Sequence, residues 1–202
     1  MCWVCRRPQK ICWCAAVQPF HSDPEIIIVV HPREAKNPMG TLRIVRRHLS
    51  NCRVFVGNGP EIDAGFASVL QQGGRTVLLY PDAEAVPISE ANQTGLPIDR
   101  VVVIDATWAT AKQLLRTSVL LSSFPKVSLS PSGESIYRVR KQPAPHCLST
   151  VEAVHDVLEA VRGSRVEHGA LLKSFRSAID MHLAEMAKSP QVRRIARPVV
   201  LS

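Results

Sequence analysis

Four consecutive β-branched residues, Val101-Val102-Val103-Ile104, constrain the fold of this chain more than any other stretch. Such side chains are stiff and suit a pleated surface, and a run without polar alternation needs cover on both faces. With Gly95 and Pro97 as upstream breakers, the run predicts a buried, parallel strand. Asp105, Thr107 and Trp108 stand at its carboxyl end, and residues 109–116 have helical composition. In open α/β sheets ligands bind beyond the carboxyl ends of strands, so this acid, hydroxyl and indole are candidate site residues. A competing reading makes Asp105 or Thr107 the helix cap and Trp108 a core filler.

The remaining patterns alternate in the same way. Strands are predicted over residues 25–30, 52–56 and 75–80, with a short one inside 124–129. Helices are predicted over 41–49, 64–72, 151–161 and 171–188. The expectation is an α/β domain with a mostly parallel sheet and helices on both faces. His31-Pro32-Arg33-Glu34 ends the first strand, since proline cannot continue a central one. In the first of these helices Leu42, Val45 and Leu49 form the apolar stripe, leaving Arg43, Arg46, Arg47 and His48 as a basic face, either solvated or in contact with phosphate. Gly57-Asn58-Gly59-Pro60 closes the second strand, and Gly73-Gly74 stops the helix that follows. Asp82 and Glu84 read as solvated loop charges before an acid/base pair. Residues 130–135 read as a surface loop, followed by Arg138, Arg140 and Lys141 and then Pro143 and Pro145. Ser149 and Glu152 have the spacing of a capping box. The last helix carries a core stripe of Leu171, Leu172, Phe175, Ile179, Leu183 and Met186.

Four of the six cysteines lie in the first fourteen residues, as Cys2, Cys5, Cys12 and Cys14. Four thiolates supply a closed tetrahedral shell for Zn2+, which marks a structural site rather than a catalytic one. The x6 and x1 spacings differ from paired Cys-x2-Cys knuckles, so free thiols and an iron–sulfur cluster stand as the other readings. Arg6, Arg7, Lys10 and the tryptophans Trp3 and Trp13, both expected to be exposed, are candidates for RNA contact beside the cluster. Cys52 and Cys147 read as small packing residues. The division expected is a cysteine knuckle over 1–20, a main domain over 21–188 and a basic tail over 189–202 with Arg193, Arg194, Arg197 and Pro198. A net charge of +8 suits a polyanionic partner, and scattered arginines favour RNA over a membrane surface. No apolar run approaches the roughly 20 residues that span a bilayer. The cysteines and arginines at the start stand where a signal peptide would have an apolar run, so a cytoplasmic location with reduced thiols is expected. Oligomeric state is left open, and no pattern selects a catalytic histidine among His31, His48 and His146.

Asp105-Ala106-Thr107-Trp108 resembles the signature of the DTW-domain family, RNA aminocarboxypropyltransferases that use S-adenosylmethionine. The likeness extends to the four cysteines, to His31-Pro32-Arg33-Glu34 and to Leu148-Ser149-Thr150-Val151-Glu152-Ala153. It implies a SPOUT-like fold with a carboxyl-terminal trefoil knot, gathering the loops near Pro81, Asp105 and Leu148 at one sheet edge. It implies transfer of the 3-amino-3-carboxypropyl group to N3 of a tRNA uridine, with methylthioadenosine released. Catalytic roles would fall to Asp105 as base, with Thr107 and Trp108. Cofactor contacts would fall to Pro81, Trp108, Ala111, Leu129, Leu148, Ser149 and Thr150. Two rivals are a SPOUT-type RNA methyltransferase and a non-enzymatic, zinc-containing RNA-binding module.

Overall fold

The computed structural model describes residues 1–5, 7–35, 41–93, 95–130, 135–137 and 148–188. Six parallel strands form one sheet: β1 (Glu25–Val30), β2 (Arg53–Val56), β3 (Thr76–Leu79), β4 (Val86–Pro87), β5 (Arg100–Asp105) and β6 (Lys126–Ser128). Their order is β2-β1-β5-β3-β6-β4, so β5 lies inside the sheet, between β1 and β3. The register sets Val30 against Asp105 and Leu79 against Val103, which brings the carboxyl ends to one edge.

Period-two alternation divides the strands between two cores. Ile26, Ile28, Val30, Val101 and Val103 pack with helices α2 (Leu42–His48), α7 (Thr150–Arg162) and α8 (Val166–Lys188) through Val45, Val154, Leu158 and Phe175. Ile27, Val29, Leu78 and Val102 face the other way, onto α3 (Gly59–Leu70), α5 (Trp108–Thr117) and α6 (Val119–Ser123) through Ile62, Phe66, Leu114 and Leu121. Both faces are therefore covered, as a continuous β-branched run requires. Each such side chain buried stabilises by about 1.5–3 kcal/mol.

The structure departs from expectation where neighbours decide. Pro32 ends β1 but also begins a single helical turn, α1 (Pro32–Ala35). His48 is not on a solvated face: it is fully buried, with Nε2 2.9 Å from Ser174 Oγ on α8. Arg46 and Arg47 stay exposed, while Arg43 donates to the Cys5 carbonyl at 3.1 Å. Helix α3 begins at Gly59, five residues before the expected start, because Glu61 accepts from the Asn58 N–H at 3.0 Å. Gly59 is required there, since a Cβ would lie 2.0 Å from the Thr117 carbonyl oxygen. Strand β4 and helix α4 (Ile88–Gln93) lie where no element was expected; Pro87 is tolerated because β4 is an edge strand.

Ser118 ends α5 and caps α6 by accepting from Leu121 N at 3.0 Å, and Asp63 accepts from Val119 N at 3.0 Å. Helix α8 starts at Val166, five residues earlier than expected, and its stripe is shorter. Leu171, Phe175 and Ile179 are buried, but Leu183 and Met186 are exposed. The last turns of α8 lean on the amino-terminal segment, where Lys10 pairs with Glu185, instead of on the sheet. Trp13 is buried, against its expected exposure, whereas Trp3 is 93% exposed. Cys5 and Trp13 join the same buried cluster as the sheet. Arg6, residues 131–134 of the loop expected over 130–135, Arg138, Arg140, Lys141, Pro143, Pro145, His146, Cys147 and the basic tail lie outside the described residues.

Candidate functional site

Asp105 is the last residue of β5, half-buried at the carboxyl edge of the sheet. Thr107 is the N-cap of α5: its Oγ1 accepts from Thr110 N at 3.3 Å and lies 2.9 Å from Thr110 Oγ1. Trp108 opens that helix at 45% exposure, so it does not fill the core. Its ring meets Tyr80 edge-on, with centroids 6.1 Å apart. Tyr80 follows β3 and leads to the exposed Pro81. His31 follows the residue paired with Asp105, and its Nδ1 accepts from Arg33 N at 3.2 Å.

A second part of the chain reaches the same edge. Thr150, the first residue of α7, donates from Oγ1 to Asp105 Oδ1 at 3.0 Å, across 45 positions of sequence. The expected capping box is present: Ser149 Oγ accepts from Glu152 N, and Glu152 Oε2 accepts from Ser149 N at 2.8 Å. The start of α7 brings the positive end of its helix dipole beside Asp105. Sequence reasoning missed the other partners of the Glu152 carboxylate, Ser135 Oγ at 2.8 Å and Ile136 N at 2.6 Å. No local signal pointed to them, since they lie on a separate segment.

The other candidates spread outward. Leu148 and Ser149 are half-buried at the α7 start. Leu129 lines a groove of about 200 Å³ with Pro87, Ile88, Ser128, Asp156 and Glu159. Burial pushes the Asp156 carboxyl up, with help from Glu152 and Glu159. Ala111 is buried on α5, and its N–H donates to the Thr107 carbonyl at 2.7 Å. Asp82 pairs with Lys126 at 2.6 Å, which holds its carboxyl below the usual range. The structure thus brings Asp105, Thr150, Ser149, Trp108 and Tyr80 to one edge, with Leu129 farther along it. Among the described residues no helix is long and apolar enough to cross a membrane.

The four cysteine sulfurs all lie within 4.8 Å of one another, with Cys2 to Cys14 at 3.9 Å and Cys5 to Cys12 at 3.8 Å. A tetrahedron of thiolates about 2.3 Å from Zn2+ has sulfur–sulfur edges of about 3.8 Å, so the donor set fits. Backbone N–H groups pull the Cys2 thiol down to about 6. Burial and the neighbouring thiols push Cys14 up to about 12. The four cysteines could hold a metal ion, and as thiolates this close they would need a cation among them. Burial also pushes Cys52 up to about 12, in keeping with a packing residue.

The DTW domain matches residues 1–183 of this chain. The chain is similar to tRNA-uridine aminocarboxypropyltransferase 2 of Drosophila melanogaster, 34% identical over 172 residues, which are 82% of this chain and 68% of that protein. The protein of the same name from Mus musculus is 29% identical over 194 residues, 93% of this chain and 65% of that one. tRNA-uridine aminocarboxypropyltransferase A of Arabidopsis thaliana is 28% identical over 229 aligned positions, covering 95% of this chain and 85% of the relative. The chain therefore spans about two thirds of the length of the animal relatives.

Proposed function

The chain belongs to the DTW domain family, and we propose that it transfers the 3-amino-3-carboxypropyl group of S-adenosylmethionine to N3 of a uridine in tRNA, releasing methylthioadenosine. The observation that carries this reading is the match of residues 1–183 to the DTW domain, together with relatives named tRNA-uridine aminocarboxypropyltransferase. The sulfonium supplies an activated alkyl carbon: its bond to sulfur breaks as the bond to N3 forms, and the N3 proton leaves.

The chain's own residues have three tasks. Asp105, at the open end of β5, accepts the uridine N3 proton, and Thr150 orients its carboxylate through the 3.0 Å hydrogen bond. The amides of the first α7 turn, with Ser149 and Thr150, hold the carboxylate of the transferred group. Trp108 presents its half-exposed indole as a wall that fixes which carbon faces the nucleophile, since reacting atoms must meet at about 3–3.5 Å in line. A ring face near the sulfonium contributes about 0.5–2 kcal/mol. Pro81, Leu148 and Leu129 border the adenosine, with Ala111 packed behind Thr107.

Zn2+ belongs to this reading as a structural ion held by Cys2, Cys5, Cys12 and Cys14, supported by their sulfur spacing. So does a SPOUT-like arrangement with a trefoil knot, supported by the parallel sheet and by the meeting of Asp105 with Thr150. A cytoplasmic location completes it, since it keeps the thiols reduced. A tRNA substrate agrees with the net charge of +8.

The test is incubation of the purified protein with unmodified tRNA and S-adenosylmethionine, followed by mass spectrometry of small molecules and digested nucleosides. Methylthioadenosine with an aminocarboxypropyl uridine is the expected result. S-adenosylhomocysteine with a methylated nucleoside overturns it in favour of a methyltransferase. Neither product, with no thermal stabilisation where a ligand at 100 times its Kd adds about 2.7 kcal/mol, leaves an RNA-binding module.

A further inference from the structure

Glu152 does more than a helix cap requires. Its residue is only 6% exposed, and its two oxygens take three donors in a fan. Oε1 accepts from Ile136 N at 2.6 Å, and Oε2 accepts from Ser135 Oγ and Ser149 N, each at 2.8 Å. The bond to Ser149 alone would complete the capping box; the other two tie a separate segment to the helix start. Tyr137, next in that segment, packs its ring on Phe175 of α8 with centroids 5.2 Å apart. It also lines a small cavity with Cys5, Arg7 and Trp13 of the amino-terminal segment. At the far end of the same connection, Thr150 follows Ser149 and donates to Asp105.

We propose that Glu152 is a positioning residue that links the cysteine cluster to the Asp105–Thr150 pair through residues 135–137. The inference rests on the transferase reading of Asp105 and Thr150. A buried carboxylate shared by three donors allows the start of α7 one orientation, because any rotation abandons a donor in a dry site. Glutamine replaces one accepting oxygen with an NH2 group, which leaves either the Ile136 N–H or the Ser149 N–H facing another donor. On the other side, the packed ring of Tyr137 transmits the shape of the cysteine cluster to Ile136 and Ser135. Loss of the metal and loss of the Glu152 charge therefore interrupt the same connection.

A double-mutant cycle tests this. Glu152→Gln, Cys12→Ser and the pair are compared with wild type by calorimetric Kd for S-adenosylmethionine, kcat and KM for tRNA modification, metal content and far-ultraviolet circular dichroism. Each single variant should weaken S-adenosylmethionine binding by about tenfold with helix content retained. The double variant should also lose about tenfold, because the effects share one route. A loss of about a hundredfold in the double variant, the product of independent effects, overturns the proposal, as does unchanged binding in Cys12→Ser. Should Cys12→Ser fail to fold, Tyr137→Ala takes its place, cutting the same route while leaving all four cysteines. Wild-type protein that makes no methylthioadenosine defeats the transferase reading instead, and is thereby told apart from a failed linkage.

Discussion

At the amino ends of β1 and β5 the charged side chains are occupied with one another. Glu25 pairs with Arg53 at 2.5 Å and with Arg100 at 3.3 Å, and Arg100 donates to the Gly73 carbonyl. Asp99 accepts from Arg75 N at 2.6 Å. At the carboxyl ends of the same sheet Thr107 and Trp108 stand exposed, and the half-buried Asp105 takes a hydroxyl from Thr150. The first end closes the sheet; the second holds an acid, an indole and a helix start in fixed places beside solvent. The difference is one of pairing against exposure: ion pairs close the first end, and at the second Thr107 and Trp108 stand in solvent on the side where ligands bind in open α/β sheets.

The largest break in that comparison should come from Asp105→Asn. The amide still accepts from Thr150 but cannot take a proton, so kcat for uridine modification should fall by about 10²–10⁴. The thermal midpoint should move by no more than about 2 °C. A large loss of stability with unchanged turnover would reverse the roles of the two ends.

Glu25→Gln is the mirror experiment. It leaves two arginines short of a partner that is mostly buried, and should cost about 2 kcal/mol, a fall of about 4–8 °C in thermal midpoint. Turnover of the folded protein should stay within about twofold of wild type. A kcat loss at this end would show that the sheet transmits strain between its edges.

Trp108→Ala should sharpen the contrast on a smaller scale. The indole is half in solvent, so stability changes little, while KM for S-adenosylmethionine should rise by about 2–30-fold. An unchanged KM would remove Trp108 from the cofactor wall. The smallest effect belongs to Lys126→Ala, which breaks the exposed pair with Asp82. That pair lowers the carboxyl and raises the ammonium. Its contribution exists above the ordinary carboxylate pKa and fades as pH falls through the depressed one. It is lost again as pH rises through the raised lysine value. Melts of wild type and variant should be nearly indistinguishable at pH 7 and converge fully in acid.

Much of the candidate site is legible in the sequence because its parts are local. A β-branched run followed by Asp105, Thr107 and Trp108 announces a buried strand with polar residues at its end, and Ser149 with Glu152 announces a helix start. His48 was misplaced because its neighbours on α2 are arginines, and only the crossing of α8 with Ser174 decides that it is buried. Trp13 was misplaced for a similar reason: the amino-terminal segment folds back onto the central core. Leu183 and Met186 keep helical periodicity beyond the point where there is a core to receive them.

Periodicity and residue stiffness, acting over ten residues or fewer, were enough to specify a mostly parallel α/β domain and the position of β5 in the chain, and the clustering of four cysteines within residues 2–14 was enough to mark a candidate metal site. Tertiary structure alone decided that Thr150 meets Asp105, that Tyr80 meets Trp108, and that Glu152 gathers donors from residues 135 and 136. Those contacts join segments 16 to 45 positions apart. No local propensity encodes such a meeting; it follows from how the strands are ordered and which face each helix covers.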